Sequence, residues 1–260
     1  MSYLVLSNGA VFEGRRIGAN GDSIGELVFT TGVVGYLETL TDPSYAGQIV
    51  MQTFPLIGNY GVIEEDFEGV CAVKGYVVRE LCDTPSNFRA EYALDRFLKD
   101  RGVPGICGVD TRHLTQLLRD NGTLAASIVP WQPQVAPVGC DLNLAAVVSC
   151  KEPIHYGKGA KRVVLVDCGV KHQILHCLLE RGIEVLRVPW DTDVNNIDAD
   201  GIMISNGPGD PSACVPAIES IKKAMEGTRP IFGICLGNQI MSIAAGASTY
   251  KMTYGHRSHN

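Results

Sequence analysis

The sequence Gly233-Ile234-Cys235-Leu236-Gly237 follows an apolar pair, Ile231-Phe232, and precedes residues typical of a helix. A strand, one residue at a sharp turn and then a helix is the layout of a nucleophile elbow. The two flanking glycines let the backbone fold tightly and let another segment pack closely. The pattern therefore predicts that Cys235 lies at a strand-to-helix turn, at the N-terminus of the helix.

Cys235 is the first candidate for a reactive residue. The helix dipole and the free N–H groups of the first helical turn favour the thiolate, which is the nucleophilic form of cysteine. An isolated cysteine is more often a buried structural residue. The paired glycines and the change from strand to helix favour the nucleophile over that alternative.

A second segment supports the same interpretation. The run Ile202–Ser205 predicts a buried strand, and it leads into Asn206–Pro211, a loop too rich in Gly and Pro to be regular structure. Successive backbone N–H groups in such a loop can form an anion-binding nest. Next to a cysteine nucleophile, the nest would stabilise the oxyanion of a tetrahedral intermediate. Standing alone, the loop would be an ordinary tight turn.

The second half of the chain alternates strand and helix patterns. We predict strands at 163–167, 184–188, 201–205 and 230–234, and helices at 170–181, 215–226 and 236–245. This alternation is typical of an open parallel α/β sheet, in which ligands bind at the C-terminal ends of the strands. The Gly-Pro loop and Cys235 both follow strands, so we expect them at the same edge of the sheet.

The first half shows short apolar runs separated by glycines, followed by two helical patterns. We predict strands at 4–6, 26–29, 48–51 and 71–73, and helices at Ala90–Arg101 and Thr111–Asp120, the second with Thr111 as its N-cap. The character of the sequence then changes over residues 131–160, where several prolines and glycines predict a linker carrying one short helix, Leu142–Val148. The expected divisions are therefore 1–130, 131–160 and 161–260.

Composition excludes several classes of protein. Hydrophobic residues make up 45% and charged residues 19%, as in ordinary globular proteins, and the net charge of −6 comes without a basic cluster for nucleic acid. The apolar runs are far too short to span a membrane, and the N-terminus lacks the basic residues of a signal peptide. Nine cysteines without a C-x-x-C pair argue against a disulfide framework or a zinc site. We expect a cytoplasmic protein that binds no metal.

The elbow and the Gly-Pro loop together resemble the class I glutamine amidotransferases. Several segments of the first half are similar to the N-terminal domain of the small chain of carbamoyl-phosphate synthetase. These segments are Phe29-Thr30-Thr31-Gly32, Leu40–Tyr45, Pro55–Gly61 and Gly108–Arg112. The resemblance is nearly continuous over all 260 residues. The elbow alone would indicate only the broad amidotransferase class, and the N-terminal segments specify the carbamoyl-phosphate synthetase small chain.

The resemblance implies an α/β protein with two domains. Residues 1–130 would form the small-chain N-terminal domain, a mixed α/β domain with short strands. Residues 131–160 would be the linker, and residues 161–260 would be a partial class I glutamine amidotransferase domain with an open parallel sheet.

The implied function is that of the glutaminase subunit of carbamoyl-phosphate synthetase. This small subunit hydrolyses L-glutamine to glutamate and ammonia, and a large subunit uses the ammonia to make carbamoyl phosphate from bicarbonate. ATP and Mg would be used by that partner, and no cofactor is expected in this chain. The turn 167–171 lacks both the G-x-G-x-x-G and Walker A patterns, in keeping with this expectation. The sequence leaves open whether arginine or pyrimidine synthesis uses the product.

The resemblance also implies roles for individual residues. Cys235 matches the nucleophile that attacks the side-chain amide of glutamine. Five residues match positions that contact glutamine: Ser44, Gly207, Gly209, Leu236 and Gln239. Because Ser44 belongs to the N-terminal domain, the substrate is expected at a domain interface, a common place for ligand sites.

The sequence departs from the family pattern in three places. Asn238 stands where many members have His, and Ser258 stands where Gly is expected. The chain stops at Asn260, before the region that holds the family's catalytic His and Glu, so the 260-residue segment alone is expected to be inactive. His172 and His176 have a spacing seen in metal sites, but no Glu follows His172 as in metalloproteases, and we assign no histidine as the base.

Two alternative functions stay open. One is a non-catalytic docking or regulatory module that keeps the elbow but lacks the catalytic base. The other is an unrelated cysteine hydrolase with the same elbow, and the N-terminal segments argue against it.

Overall fold

The computed structural model describes residues 1–131 and 143–255. In it, the strands of the first half close into a barrel. The barrel strands are β1 (Ser2–Leu6), β2 (Val11–Gly18), β3 (Ser23–Thr30), β4 (Gln48–Gln52), β6 (Gly75–Val78), β8 (Pro104–Cys107) and β9 (Leu124–Val129), and the short strands β5 (Leu56–Ile57) and β7 (Glu80–Leu81) pair with each other. Their order around the barrel is β1-β2-β8-β6-β4-β3-β9. Closure pairs every barrel strand on both sides and leaves no exposed edge.

Alternate residues of the barrel strands belong to different apolar clusters, as the two-residue period of a strand requires. Val77 packs in a cluster with Leu114 and Leu118 of helix α3 (Thr111–Asn121). Its neighbours Tyr76 and Val78 pack instead with residues of α1 (Tyr36–Thr41) and α2 (Leu94–Asp100). The helices therefore cover apolar faces of the barrel, and the expected mixed α/β character of this half is confirmed.

One predicted helix start and one predicted N-cap were wrong. The helix predicted from Ala90 begins at Leu94, because Tyr92 is held extended by a bridge to Val62, whose N–H donates to the Tyr92 carbonyl at 2.8 Å. The N-cap of α3 is Asp110 rather than Thr111, since the Asp110 carboxylate accepts a hydrogen bond from the His113 N–H at 3.0 Å.

The strand predicted at 71–73 was also wrong. The strand in this region is β6, which begins at Gly75 and pairs in parallel with β4. The Lys74 N–H donates to the Gln48 carbonyl, and Gln48 is the first residue of β4. Residues 71–73 lie before that point and have no partner strand there.

The second half forms the expected sheet with helices. Its strands are β10 (Ile154–Tyr156), β11 (Lys161–Asp167), β12 (Ile183–Pro189), β13 (Gly201–Ile204) and β14 (Ile231–Gly233), in the order β10-β12-β11-β13-β14. Its helices are α4 (Leu144–Val148), α5 (His172–Glu180), α6 (Val215–Ala224) and α7 (Leu236–Ala244). The last four strands are parallel, which confirms the predicted sheet. The antiparallel edge strand β10 was not predicted and lies in the expected linker.

Leu144 and the segment after α7 are among the places where the second half contacts the barrel domain. Leu144 of α4 lies between the halves, because a Cβ built on Gly47 of the barrel domain or on Gly209 of the Gly-Pro loop would meet its side chain. The segment after α7 lies on the barrel: the Thr253 carbonyl accepts from the Thr123 N–H at 3.2 Å.

In the part of the chain that the structure describes, every helix falls short of the length and apolarity needed to cross a membrane. Leu142, where the short helix was predicted to begin, and Ser258 lie outside the described residues.

Candidate functional site

Cys235 occupies the turn between β14 and α7, with its side chain exposed. Its backbone angles are φ 53° and ψ −110°, and it is the one residue other than glycine with a positive φ among the residues that the structure describes. Such a conformation costs about 1–3 kcal/mol and persists only where the surroundings enforce it. The turn has the geometry of an elbow that presents a thiol to solvent at a helix N-terminus.

Close backbone packing enforces this turn. A Cβ added to Gly237 would lie 2.3 Å from the Ile204 carbonyl oxygen, and one added to Gly233 would lie 2.5 Å from the carbonyl carbon of Gly237. The Gly237 N–H also donates to the carbonyl of Ser205 at 3.1 Å. Glycine on both sides of the elbow is therefore a steric requirement, because the start of α7 is pressed against the end of β13.

The Gly-Pro loop lies against the elbow, as expected from their places at strand ends. A Cβ on Gly207 would lie 2.1 Å from the Cys168 carbonyl oxygen and 2.9 Å from Cδ2 of Leu236. Gly209 has a φ of 89° and is exposed. The structure thus brings Gly207 beside Leu236, the residue after Cys235, at the C-terminal edge of the sheet.

Ser44 reaches the same loop from the barrel domain. It lies in a short 3₁₀ turn, Pro43–Tyr45, in which the Asp42 carboxylate accepts from the Ser44 N–H at 2.8 Å. The Ser44 hydroxyl oxygen accepts a hydrogen bond from Nδ2 of Asn206 at 2.9 Å. Ser44 therefore contacts the residue before Gly207 across the two halves of the chain.

Three polar side chains at this junction were missed by the sequence analysis: Asp42, Lys171 and Asn206. Lys171 Nζ lies 3.0 Å from Oδ2 of Asp42, and the Lys171 N–H donates to Oδ1 of Asn206 at 3.2 Å. Burial of Lys171 lowers its pKa, but the neighbouring Asp42 carboxylate has the larger opposite effect, so the pKa of Lys171 is raised. Each residue lies in or beside a turn visible in the sequence, but nothing local indicates that the turns meet.

Asp167 supports the turn that carries Lys171. Its fully buried carboxylate accepts from the N–H groups of Gly169 and Val170, both at 2.9 Å. It also accepts from the Cys150 N–H at 2.7 Å and from Arg187 Nη2 at 2.6 Å. The turn is thus fixed by an internal carboxylate, which places Lys171 beside Asn206.

Gln239 is exposed one turn into α7, and its N–H donates to the Cys235 carbonyl at 3.1 Å.

The four described histidines make contacts that do not involve Cys235. His113 packs edge-on against Phe12, and His155 lies 3.8 Å from Glu184. His172 and His176 are exposed on α5. Within residues 1–131 and 143–255, no group of three or more His, Cys, Asp and Glu side chains is placed to hold a metal ion.

Comparison with known proteins assigns families to both halves. Residues 4–128 match the family "Carbamoyl-phosphate synthase small chain, CPSase domain", and residues 164–260 match "Glutamine amidotransferase class-I". The two matches fall on the barrel half and on the half that carries Cys235.

Curated relatives match along almost the whole chain. The carbamoyl phosphate synthase pyrimidine-specific small chain of Bacillus subtilis is 46% identical, over 99% of this chain and 73% of that protein. The protein of the same name from Halalkalibacterium halodurans is 44% identical, over 99% and 74%. The carbamoyl phosphate synthase small chain of Archaeoglobus fulgidus is 47% identical, over 99% and 75%. The chain therefore belongs to the carbamoyl-phosphate synthase small-chain family, with a class I glutamine amidotransferase domain in its second half.

Proposed function

We propose that this chain is the glutaminase subunit of carbamoyl-phosphate synthetase, which hydrolyses L-glutamine to glutamate and ammonia. The observation that carries the proposal is the strained, exposed Cys235 at the N-terminus of α7, in a chain of this family. Backbone strain at a single non-glycine residue indicates function when the surrounding structure enforces it, as the contacts of Gly233 and Gly237 do here.

The chemistry follows from the position of the thiol. The Cys235 thiolate attacks the side-chain amide carbon of glutamine, and the carbonyl oxygen becomes an oxyanion. The Gly237 N–H of α7 already donates to the Ser205 carbonyl, so the N–H of Leu236, the residue after Cys235, is a helix-terminal donor left for that oxyanion beside the Gly207 loop. The carbon–nitrogen bond then breaks and ammonia leaves with a proton, giving a thioester. Water hydrolyses the thioester to glutamate and restores the thiol.

Recognition of the amino-acid end of glutamine falls to residues around the thiol. Ser44 supplies a hydroxyl from the barrel domain, Gly207 and Gly209 supply loop backbone, and Leu236 and Gln239 lie in the first turn of α7. A free amino acid has a carboxylate and an ammonium group in fixed positions, so polar groups from both domains can orient it. The proton donor for ammonia is not assigned, since none of the contacts of the four described histidines involves Cys235.

The partner in this proposal is the large subunit of carbamoyl-phosphate synthetase, in a heterodimer. Ammonia released into water would be protonated and lost, so the two subunits have to seal together. ATP and Mg are used by the large subunit, this chain binds no cofactor, and the complex is cytoplasmic. We propose pyrimidine synthesis as the destination of the product, following the names of the two bacterial relatives, with arginine synthesis as the alternative.

The test uses the complete small chain co-purified with its large subunit. We expect Cys235→Ser to reduce glutamine-dependent carbamoyl phosphate synthesis by at least about a thousandfold, because the nucleophile is lost. Synthesis from added ammonia should remain, since it needs only the large subunit. The matched control is Cys177→Ser, a half-buried cysteine on α5, which should leave both activities unchanged. Retention of glutamine-dependent synthesis by Cys235→Ser would show that Cys235 is not the nucleophile. A wild-type complex that uses added ammonia but not glutamine would favour the docking-module alternative.

A further inference from the structure

We propose that Asn206 is a positioning residue that sets the hydrogen-bond direction of the Ser44 hydroxyl, so that this hydroxyl donates to the carboxylate of the bound amino acid. This inference rests on the proposed function and deepens it, since it concerns how the same site selects its ligand. Asn206 acts through Ser44 and makes no contact with the reacting atoms in this proposal.

The Asn206 amide joins three elements that are far apart in the sequence. The residue follows Ser205 at the end of β13 and is only 4% exposed. Its Nδ2 donates to Ser44 Oγ at 2.9 Å and lies 3.5 Å from Oδ1 of Asp42, both in the barrel domain. Its Oδ1 accepts from the Lys171 N–H at 3.2 Å. A buried amide with partners on both ends has little freedom to rotate.

The partners decide which end of the amide faces which way. A backbone N–H can only donate, so the Lys171 N–H has to meet the oxygen of the Asn206 amide. A carboxylate can only accept hydrogen bonds, so the end of the Asn206 amide that faces Asp42 is favoured to be its NH₂ group. The flipped amide would place its oxygen against Asp42 and its NH₂ group against the Lys171 N–H, losing both favourable contacts. The NH₂ group is therefore fixed towards Ser44.

This orientation determines what the Ser44 hydroxyl can do. A hydroxyl has one proton to donate and two lone pairs that accept. Asn206 fills one lone pair, and within the described residues the Ser44 hydroxyl donates to no protein group. Its proton therefore remains available for a ligand acceptor. A carboxylate oxygen is the strongest acceptor that glutamine offers, because hydrogen bonds to ionised groups are about twice as strong as neutral ones.

The charge of Asp42 has to be balanced for such a ligand to bind. A second carboxylate placed near Asp42 would be repelled if the Asp42 charge were unpaired. The ammonium group of Lys171 at 3.0 Å neutralises that charge. The amide of Asn206 thus orients Ser44 at a junction where the charge of Asp42 is already paired with that of Lys171.

The main test compares glutamine-dependent kinetics of the complete chain with its large subunit. Asn206→Asp keeps the shape of the side chain but replaces the donor with an acceptor, which would take the Ser44 proton away from the ligand. We expect KM for glutamine to rise about 10- to 100-fold, as for the loss of a hydrogen bond to a charged group, with a much smaller change in kcat. Asn206→Ala, which leaves the hydroxyl free to rotate, should raise KM less than Asn206→Asp does.

Ser44→Ala separates action through Ser44 from a direct or purely structural effect. If Asn206 acts through Ser44, adding Asn206→Asp to Ser44→Ala should change KM by less than about twofold, since coupled residues are strongly non-additive. An Asn206→Asp effect that persists in full without the Ser44 hydroxyl would overturn the inference. So would Asn206→Ala being at least as harmful as Asn206→Asp.

A labelling experiment provides a readout that does not depend on turnover. The probes are a chloroketone shaped like glutamine, which needs the amino-acid site to reach Cys235, and iodoacetamide, which does not. We expect Asn206→Asp to slow the chloroketone about tenfold or more while the iodoacetamide rate stays within about twofold, showing that the elbow is intact. Equal chloroketone rates in wild type and variant would overturn the inference. A wild-type chain without any preference for the chloroketone would instead overturn the proposed function.

Discussion

At the scale of single residues, Cys235 combines a backbone conformation that suits glycine with a side chain. Its φ of 53° and ψ of −110° suit glycine, the usual residue at the first central position of a type II′ turn. The proposed function nevertheless requires a side chain there. Backbone strain is stored where the proposed chemistry needs a thiol at the tip of the turn, and the close contacts of Gly233 and Gly237 hold that turn in place.

The strain predicts a difference between two inactive variants. Cys235→Gly should be more stable than Cys235→Ala by about 1–2 kcal/mol, because glycine adopts this backbone conformation without a steric penalty. The measurement is the urea unfolding midpoint of each variant. At an unstrained position the order would be reversed, since glycine gives the unfolded chain more conformational freedom. A less stable glycine variant would therefore show that the turn is not strained.

Exposure predicts which thiol reacts first. Burial raises the pKa of Cys71, Cys150 and Cys214 to about 11, so few of these thiols ionise near neutral pH. Cys235 is exposed at a helix N-terminus, and we expect iodoacetamide to label it faster than those three between about pH 7 and 8. Mass spectrometry of labelled peptides gives the rate at each cysteine. Labelling of those three at a rate comparable to that of Cys235 would contradict the structure.

At the scale of secondary-structure elements, the ends of β11, β13 and β14 build the site together. The buried Asp167 ties the end of β11 to Arg187 of β12 and to the turn that carries Lys171. The end of β13 supplies Asn206, and the end of β14 leads to Cys235. Adjacent parallel strands place these ends side by side, which is why residues from three separate segments share one edge.

The Asp167–Arg187 pair should be important for stability. Asp167→Asn leaves the largely buried Arg187 without its counter-charge, and we expect the free energy of unfolding to fall by about 3–5 kcal/mol. The control is Asp200→Asn, which breaks the exposed pair between Asp200 and Lys161 and should change stability little. Urea denaturation of both variants gives the comparison. Equal stability of the two variants would show that Arg187 finds another partner.

Local sequence patterns predicted the four parallel strands of the second half and their helices, but not the edge strand β10 or the barrel of the first half. A strand-loop or strand-turn-helix pattern is local, so the elbow and the Gly-Pro loop were visible in the sequence. Barrel closure depends on pairing between distant strands such as β1 and β9, whose partners no local pattern specifies. The helix predicted from Ala90 began late for the same reason, since Val62 holds Tyr92 in an extended bridge. The contact between Ser44 and Asn206 also joins distant segments, and only the resemblance indicated that Ser44 lies near the loop.

At the scale of the whole molecule, the segment after α7 attaches the second half to the barrel. Lys251 pairs with Glu26 of β3, the Thr253 carbonyl accepts from the Thr123 N–H, and the ring of Tyr254 lies 6.3 Å from that of Phe29. The Ser44–Asn206 contact also joins the two halves. The proposed glutamine site draws residues from both domains, so it requires a fixed position of one domain relative to the other. The contacts of residues 251–254 contribute to that fixed position away from the proposed site.

Glu26 makes this attachment dependent on pH. Burial opposes ionisation of Glu26, but hydrogen bonds from Lys251, Thr123 and Gln48 outweigh it and hold the pKa of Glu26 below its usual value. A carboxylate with a lowered folded-state pKa stabilises the protein above the unfolded-state pKa of about 4.3, and the stabilisation is lost as pH falls through the folded value. Glu26→Gln should therefore reduce stability at pH 7, and its deficit relative to wild type should shrink as the pH falls below about 4.

The measurement is urea unfolding at several pH values, together with hydrogen exchange of residues 251–254. We expect faster exchange in that segment for Glu26→Gln at pH 7, because the Lys251 ammonium loses its charged partner. Glu13→Gln is the matched control, since it changes the same charge on the exposed face of β2 and should leave exchange in the segment unaltered. A deficit for Glu26→Gln that did not shrink as the pH fell would mean that it arises from altered packing, because the contribution of the Glu26 charge declines once the pH falls below the unfolded-state pKa.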